Sequence, residues 1–322
     1  MDLDRQVIAN LKSSLPALEL ESGLEPDANL RAYLDFYAIS LEHLPPDVQH
    51  DVGYLDVDDY RLATHVWRPE CPVGTVLLVH GYYDHVGLYG HLVRFWLKEG
   101  YAVMVHDLPG HGLSSGPIAS VDCFSRYSMV FRYCLEWARG KLAAPWYLQG
   151  QSTGGAIITD ALVNYPELMA HYGIVDVFLM APLVRPVLWR TGLMQYFLLR
   201  AFISSVPRSH SHNSNDQAFL DFLVRDPLQS RVLPLEWVEA LRQWIRRIES
   251  FRKPCPCSPL IIQGQRDKTV DWRHNLKVLR RLYTDPEVFF IPDGHHNLAN
   301  ETEHIRKQYL EVIRQRLMKQ QG

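Results

Sequence analysis

In Leu148–Ala156, LQGQSTGGA, Ser152 stands between Gly150 and Gly154, a spacing that suits a nucleophile held in a tight strand-to-helix turn. A serine hydroxyl is a weak nucleophile unless an imidazole takes its proton and an acid holds that imidazole in place. Both partner types occur downstream. QGQRDKTVD carries Asp267, and DGHHNLANE carries His295 and His296. The chain order serine, acid, histidine is the one that accompanies a strand–turn–helix elbow, whereas other serine-triad folds use different orders. Short glycine patterns recur by chance, so the weight rests on that order and on the strand-end position of each residue. Ser152, Asp267 and His296 are the expected catalytic set. His295 remains open as the base, because neighbouring side chains point in different directions. Asp271 is a rival acid, but it falls where the next helix should start and suits an N-cap better. Acyl transfer also needs two N–H groups aimed at the developing oxyanion. Thr153, directly behind the serine, is expected to give one, and Tyr82, in His80-Gly81-Tyr82, the other.

These residues are useful only if strands carry them to one edge. Near-continuous apolar runs, the pattern of strands covered on both faces, occur at Gly74–Gly81, Tyr101–Asp107, Pro145–Gly150, Ile174–Pro182, Pro259–Gly264 and Glu287–Pro292. Helices are expected between them at His91–Glu99, Val121–Arg139, Thr153–Asn164, Trp272–Tyr283 and Glu301–Met318, the last capped by Asn300 with Glu303. Alternation of this kind predicts an α/β fold with a mostly parallel central sheet and helices on both faces. Ligands of such sheets bind beyond the carboxyl ends of the strands, where the three chemical residues fall.

Two alternating segments, near Val52–Asp56 and Tyr60–Trp67, flank Asp58-Asp59 and predict an edge hairpin. Residues 1–48 are expected to be a helical extension, with Leu30, Tyr33, Leu34, Tyr37, Leu41 and Leu44 at helical spacing before Pro45-Pro46. Residues 49–182 and 255–322 then form the core. Residues 183–254 interrupt the alternation with no strand candidate and are expected to be a helical cap. Its segment PVLWRTGLMQYFLLRAFI is apolar on most of its circumference, so it offers surface either to the core or to an acyl chain or lipid interface.

The chain has 322 residues and a formal net charge of −3, which gives no broad attraction to nucleic acid or acidic lipid. Five scattered cysteines read as reduced thiols, and Cys255-Pro-Cys257 lacks a second ligand pair for a metal. His210 and His212 stand in a polar loop without carboxylate or cysteine ligands nearby, and His106 and His111 read as packed structural residues. No signal peptide or membrane span is visible, so the expected location is the cytoplasm, with peripheral membrane contact through the cap as an addition.

HGYYDHVGLY (His80–Tyr89), DLPGHGLSSG (Asp107–Gly116), GQSTGG (Gly150–Gly155), the acid of GQRDKTV and HNLANE (His296–Glu301) together resemble the monoglyceride lipase and lysophospholipase branch of the α/β-hydrolases, a branch also grouped with serine aminopeptidases. The resemblance covers roughly residues 50 to 318. It aligns His296, not His295, with the catalytic base, and it matches a second histidine of the oxyanion loop with His85. Leu88 departs from it, standing where many relatives have arginine. The resemblance implies a serine hydrolase of acyl-lipid esters, such as monoacylglycerols or lysophospholipids, working without metal or organic cofactor. Substrate contacts are then expected from His85, Leu183, Leu188, Leu193, Met194 and Phe197. The same machinery suits thioester, amide or carbon–carbon cleavage, and the fold without turnover suits a ligand-binding receptor.

Overall fold

A computed structural model describes residues 3–20, 25–208 and 212–321. Its centre is an eight-stranded sheet in the order β1-β2-β4-β3-β5-β6-β9-β10. The strands are β1 (Val48–Val57), β2 (Tyr60–Pro69), β3 (Thr75–Val79), β4 (Ala102–His106), β5 (Trp146–Gln151), β6 (Ile174–Met180), β9 (Leu260–Gly264) and β10 (Glu287–Ile291). From β4 to β10 every pairing is parallel, and only the β1–β2 hairpin and its join to β4 run antiparallel. The expected α/β architecture is the one observed.

The side-chain period of a strand divides the core into two layers. Along β3, Leu77 and Val79 enter one apolar cluster, and Val76 and Leu78 enter the other. The first layer lies under α4 (Ser125–Ala138), α5 (Thr153–Asn164), α9 (Leu235–Ser250) and α10 (Trp272–Leu282). The second lies under α1 (Arg5–Ser14), α2 (Ala28–Phe36), α3 (Gly90–Lys98) and α11 (Glu303–Gln321). A short α6 (Leu168–Tyr172), which no periodicity announces, precedes β6.

Between β6 and β9 the chain builds α7 (Trp189–Leu199), β7 (Ser205–Pro207), α8 (Gln217–Arg225), β8 (Val232–Pro234) and then α9. This corrects the expectation of an all-helical segment, since β7 and β8 pair antiparallel through three residues each. Each strand ends in proline and is too short to show alternation. In the N-terminal segment α2 stops at Phe36, earlier than the leucine spacing suggests, because the chain turns at Ala38 with φ of 51°. The expected Asn300 cap is also corrected. Its amide donates to Asn297 Oδ1 at 3.2 Å, and α11 starts only at Glu303. Asp271 does cap α10, accepting from His274 N.

The N-terminal segment docks on the sheet edge through backbone hydrogen bonds, Leu18 N to Tyr54 O at 2.9 Å and Tyr54 N to Pro16 O at 2.7 Å. Gly53 makes the crossing sterically feasible, since a Cβ there would lie 2.7 Å from the Leu18 backbone. Gly53→Val is therefore expected to lift residues 3–20 from the sheet, read as faster proteolytic cleavage within the first 47 residues than in wild type. Equal cleavage rates would contradict this docking.

Candidate active site

β5 ends at Gln151 and α5 begins at Thr153, leaving Ser152 alone to reverse the chain with φ 53° and ψ −113°. A non-glycine residue in that region is strained and persists only where its surroundings fix it. Ser152 N donates to Met180 O at 2.8 Å, and Ser152 O accepts from Ala156 N and Leu183 N, both at 3.1 Å. Small residues let α5 come this close. A Cβ on Gly154 would lie 2.0 Å from the carbonyl oxygen of Val79.

The loops after β9 and β10 bring two more side chains to the same edge. His296 Nε2 lies 2.9 Å from Ser152 Oγ, and His296 Nδ1 lies 2.7 Å from Asp267 Oδ2. Asp267 also accepts from Thr269 N at 2.8 Å, Val270 N at 3.1 Å and Gln263 Nε2 at 3.2 Å. Because a carboxylate only accepts, the imidazole proton sits on Nδ1 and the Nε2 lone pair faces the hydroxyl. Gln151 Nε2 donates to the His296 carbonyl at 2.8 Å, tying the β10 loop to the elbow. All three side chains are buried.

Burial by itself would lower the His296 pKa, but the charge of Asp267 and its hydrogen bond outweigh it and hold the imidazole above its ordinary value. Burial pushes Asp267 up, and His296 with the two backbone N–H donors brings it below the ordinary carboxylate range. The arrangement can accept a proton from Ser152 and stabilise the resulting imidazolium.

His295 faces elsewhere, with Nδ1 3.1 Å from the backbone oxygen of His212, so the histidine pair points apart. His80 ties two loops together, its Nδ1 donating to Gly81 O at 2.8 Å while Nε2 accepts from Leu108 N at 2.9 Å. His106 and His111 are buried and pushed down to about 4 by burial. Cys255 and Cys257 are free, buried thiols in the lead to β9, and burial pushes Cys255 up to about 11. His210 lies outside the described residues. Among the described residues no group of three His, Cys, Asp or Glu is placed to hold a metal ion.

Ser152 and His296 open into a cavity of about 440 Å³, with Tyr82 and Thr153 also in its wall. Of the expected substrate contacts, Leu183 lines it. Leu188, Met194 and Phe197 lie on the outer surface instead, 78%, 67% and 47% exposed, because α7 buries only Tyr196. Leu193 is half-buried against the core. His85 is fully buried outside the wall, its Nε2 2.8 Å from Asp226 Oδ2. The sequence reading missed most of the wall, notably Tyr83, Asp84, Arg208, Asn213 and Trp237. Trp237 stacks on Tyr82 with ring centres 3.7 Å apart, and its place on the amphipathic face of α9 was the available signal.

Residues 70–303 match the family described as "Serine aminopeptidase, S33". The chain is 25% identical over 272 residues to the monoglyceride lipase homolog of monkeypox virus, covering 80% of this chain and 94% of that one. It is 25% identical over 256 residues to human monoglyceride lipase, covering 77% and 83%. Among solved structures, a soluble variant of the Saccharomyces cerevisiae monoglyceride lipase, with a substrate analog, superposes with TM-score 0.70 at 20% identity, covering 83% of this chain and 94% of that one.

The close approach at the elbow sets a prediction. Gly154→Ala must displace either α5 or the end of β3, so a loss of about 1–3 kcal/mol in unfolding free energy is expected by chemical denaturation. An unchanged denaturation midpoint would contradict it.

Proposed function

Since the chain belongs to the serine aminopeptidase S33 family of α/β-hydrolases, we propose that it hydrolyses carboxylic esters of acyl lipids through an acyl-enzyme intermediate. Ser152 attacks the ester carbonyl while His296 takes its proton, and His296 then returns that proton to the departing alcohol. Asp267 holds the imidazole tautomer and offsets its charge. The N–H groups of Tyr82 and Thr153 stabilise the oxyanion, and water repeats the sequence to release the acid. The observation that carries this reading is the continuous hydrogen-bonded line from Ser152 Oγ through His296 to Asp267, opening on a largely apolar cavity. The relatives named monoglyceride lipase support a long acyl chain as the group in that cavity.

Residues 183–254 act in this reading as the cap over the site, and residues 1–48 brace that cap through Tyr37, whose hydroxyl donates to Asp226. The outer face of α7 and the turn after it, with Leu188, Met194, Leu198 and Phe202 exposed, serves as a contact for a lipid surface. No helix among the described residues is long and apolar enough to cross a membrane.

A fluorophosphonate probe is expected to label wild type rapidly and Ser152→Ala not at all, whereas a non-catalytic receptor would leave both unlabelled. Across p-nitrophenyl esters and glycerol monoesters, kcat/KM is expected to climb beyond acetate; a maximum at acetate would sink the acyl-lipid assignment. Faster turnover of thioesters or amides would reassign the bond cleaved.

His296 works as a base only when neutral. With its pKa raised above 6.5, kcat/KM should rise with pH through a midpoint above that value. Asp267→Asn removes the charge that raises it, so the midpoint should move down while kcat falls roughly 10³–10⁴-fold. A midpoint that stays in place in Asp267→Asn would contradict the coupling. For the lipid contact, Leu198→Asp with Phe202→Asp is expected to reduce co-sedimentation with phosphatidylcholine vesicles and hydrolysis of vesicle-borne ester. Undiminished sedimentation would exclude α7 as the contact.

A further inference from the structure

The cavity beside Ser152 holds a cation that ester cleavage leaves without a task. Arg208 follows β7 directly and shares the wall with Ser152, His296 and Leu183. Among the described residues it forms no ion pair with a carboxylate, unlike Arg185, which pairs with Glu249, or Arg242, which pairs with Glu239.

Its placement is nonetheless fixed. Nη1 donates to Gln229 Oε1 at 2.6 Å and to the Ser230 carbonyl at 3.3 Å, and the guanidinium carbon sits 4.0 Å from the centre of the Tyr83 ring. Gln229 turns its oxygen toward Arg208 because its Nε2 donates to Asp226 Oδ2 at 3.1 Å. Asp226 is itself buried and accepts from Tyr37 Oη at 2.6 Å and from His85 Nε2 at 2.8 Å. Hydrogen bonds thus run from the N-terminal segment, through the cap, to a guanidinium on the cavity wall.

Burial lowers the Arg208 pKa, and Asp84 and Asp226, both beyond ion-pair distance, offset that only in part. A bound anion would restore solvation that burial removes. The planar fork of the guanidinium matches the oxygens of phosphate and carboxylate, and the part left after Nη1 is engaged is aligned in advance. The opposing charge in the wall is Asp84. Burial pushes its carboxyl above the ordinary range, against the pull of the Tyr89 hydroxyl, which donates to Oδ2 at 3.0 Å, and of Arg208 itself. One oxygen of that carboxyl is already engaged by the Tyr89 hydroxyl.

From this geometry we infer that Arg208 is a specificity-determining residue that binds an anionic oxygen group, phosphate or carboxylate, carried by the ester substrate. Turnover of such an ester rests on the hydrolase reading above; its binding does not.

Two substrate pairs locate the charge. Oleoyl lysophosphatidic acid against monooleoylglycerol puts a phosphate on the alcohol side. The mono-p-nitrophenyl ester of sebacic acid against p-nitrophenyl decanoate puts a carboxylate at the acyl end. Wild type is expected to favour the charged member of at least one pair by roughly tenfold or more in kcat/KM. Arg208→Gln should erase most of that ratio, chiefly through KM, and Arg208→Lys should keep part of it. Equal kcat/KM within both pairs, or a ratio unchanged in Arg208→Gln, overturns the assignment, because a merely structural arginine would lower both members alike. Calorimetric titration of Ser152→Ala with the same four compounds separates the two readings. Charge-dependent binding without wild-type turnover keeps Arg208 and sinks the hydrolase; turnover without charge preference does the reverse.

Discussion

The hydrogen bond between Ser152 Oγ and His296 Nε2 joins residues 144 positions apart, and most of the fold exists to make that 2.9 Å contact possible. No local element can bring them together. A parallel sheet can, because its strands all end at one edge, and β5, β9 and β10 each deliver one member of the set there. The apolar residues of β5 and β9, buried on both faces, and those of the edge strand β10, buried in part, fix the register, and the register fixes where each loop begins. Strain at Ser152 is the local cost of turning the hydroxyl outward, and the hydrogen bonds from Ser152 N to Met180 O and from Leu183 N to Ser152 O hold the turn in place.

The same edge shows how one residue type is put to different uses. His80, His106 and His111 are buried with no carboxylate among the groups that shift them, and burial holds all three below the ordinary imidazole value. They stay neutral, and His80 uses both ring nitrogens to fasten the loop that carries Tyr82. His296 is equally buried, yet Asp267 reverses the direction. His85 is raised in the same way by Asp226, but its partner belongs to the segment between β6 and β9, so the charge there serves to join segments rather than to face the hydroxyl. Position relative to a carboxylate, more than burial, separates a structural histidine from one able to exchange a proton.

Most of the sheet was legible because strands covered on both faces leave near-continuous apolar runs, and the β1–β2 hairpin announced itself through alternation around Asp58-Asp59. The three strand-end residues were legible through their order and context, and the resemblance strengthened a slight preference for His296 over His295, whose ring lies against the backbone oxygen of His212. The cavity wall was not legible. Arg208 and Gln229 come together only because β7 and β8 pair, and those strands are three residues long and end in proline. Asp226 and His85 are 141 residues apart, a separation that no periodicity encodes. The apolarity of the segment around α7 suits core, acyl chain or lipid interface alike, and which side chains turn outward, here Leu188, Met194 and Phe197, depends on register against a neighbouring element, a tertiary property.

The central claim is that an acyl group passes through Ser152. Intact-protein mass spectrometry of samples quenched in acid during turnover of a long-chain p-nitrophenyl ester, followed by peptide mapping, tests it most directly. A transient mass gain equal to the acyl group, on the peptide carrying LQGQSTGGA and absent in Ser152→Ala, is predicted. An acyl group on another residue, or hydrolysis that continues in Ser152→Ala at the wild-type rate, would contradict it.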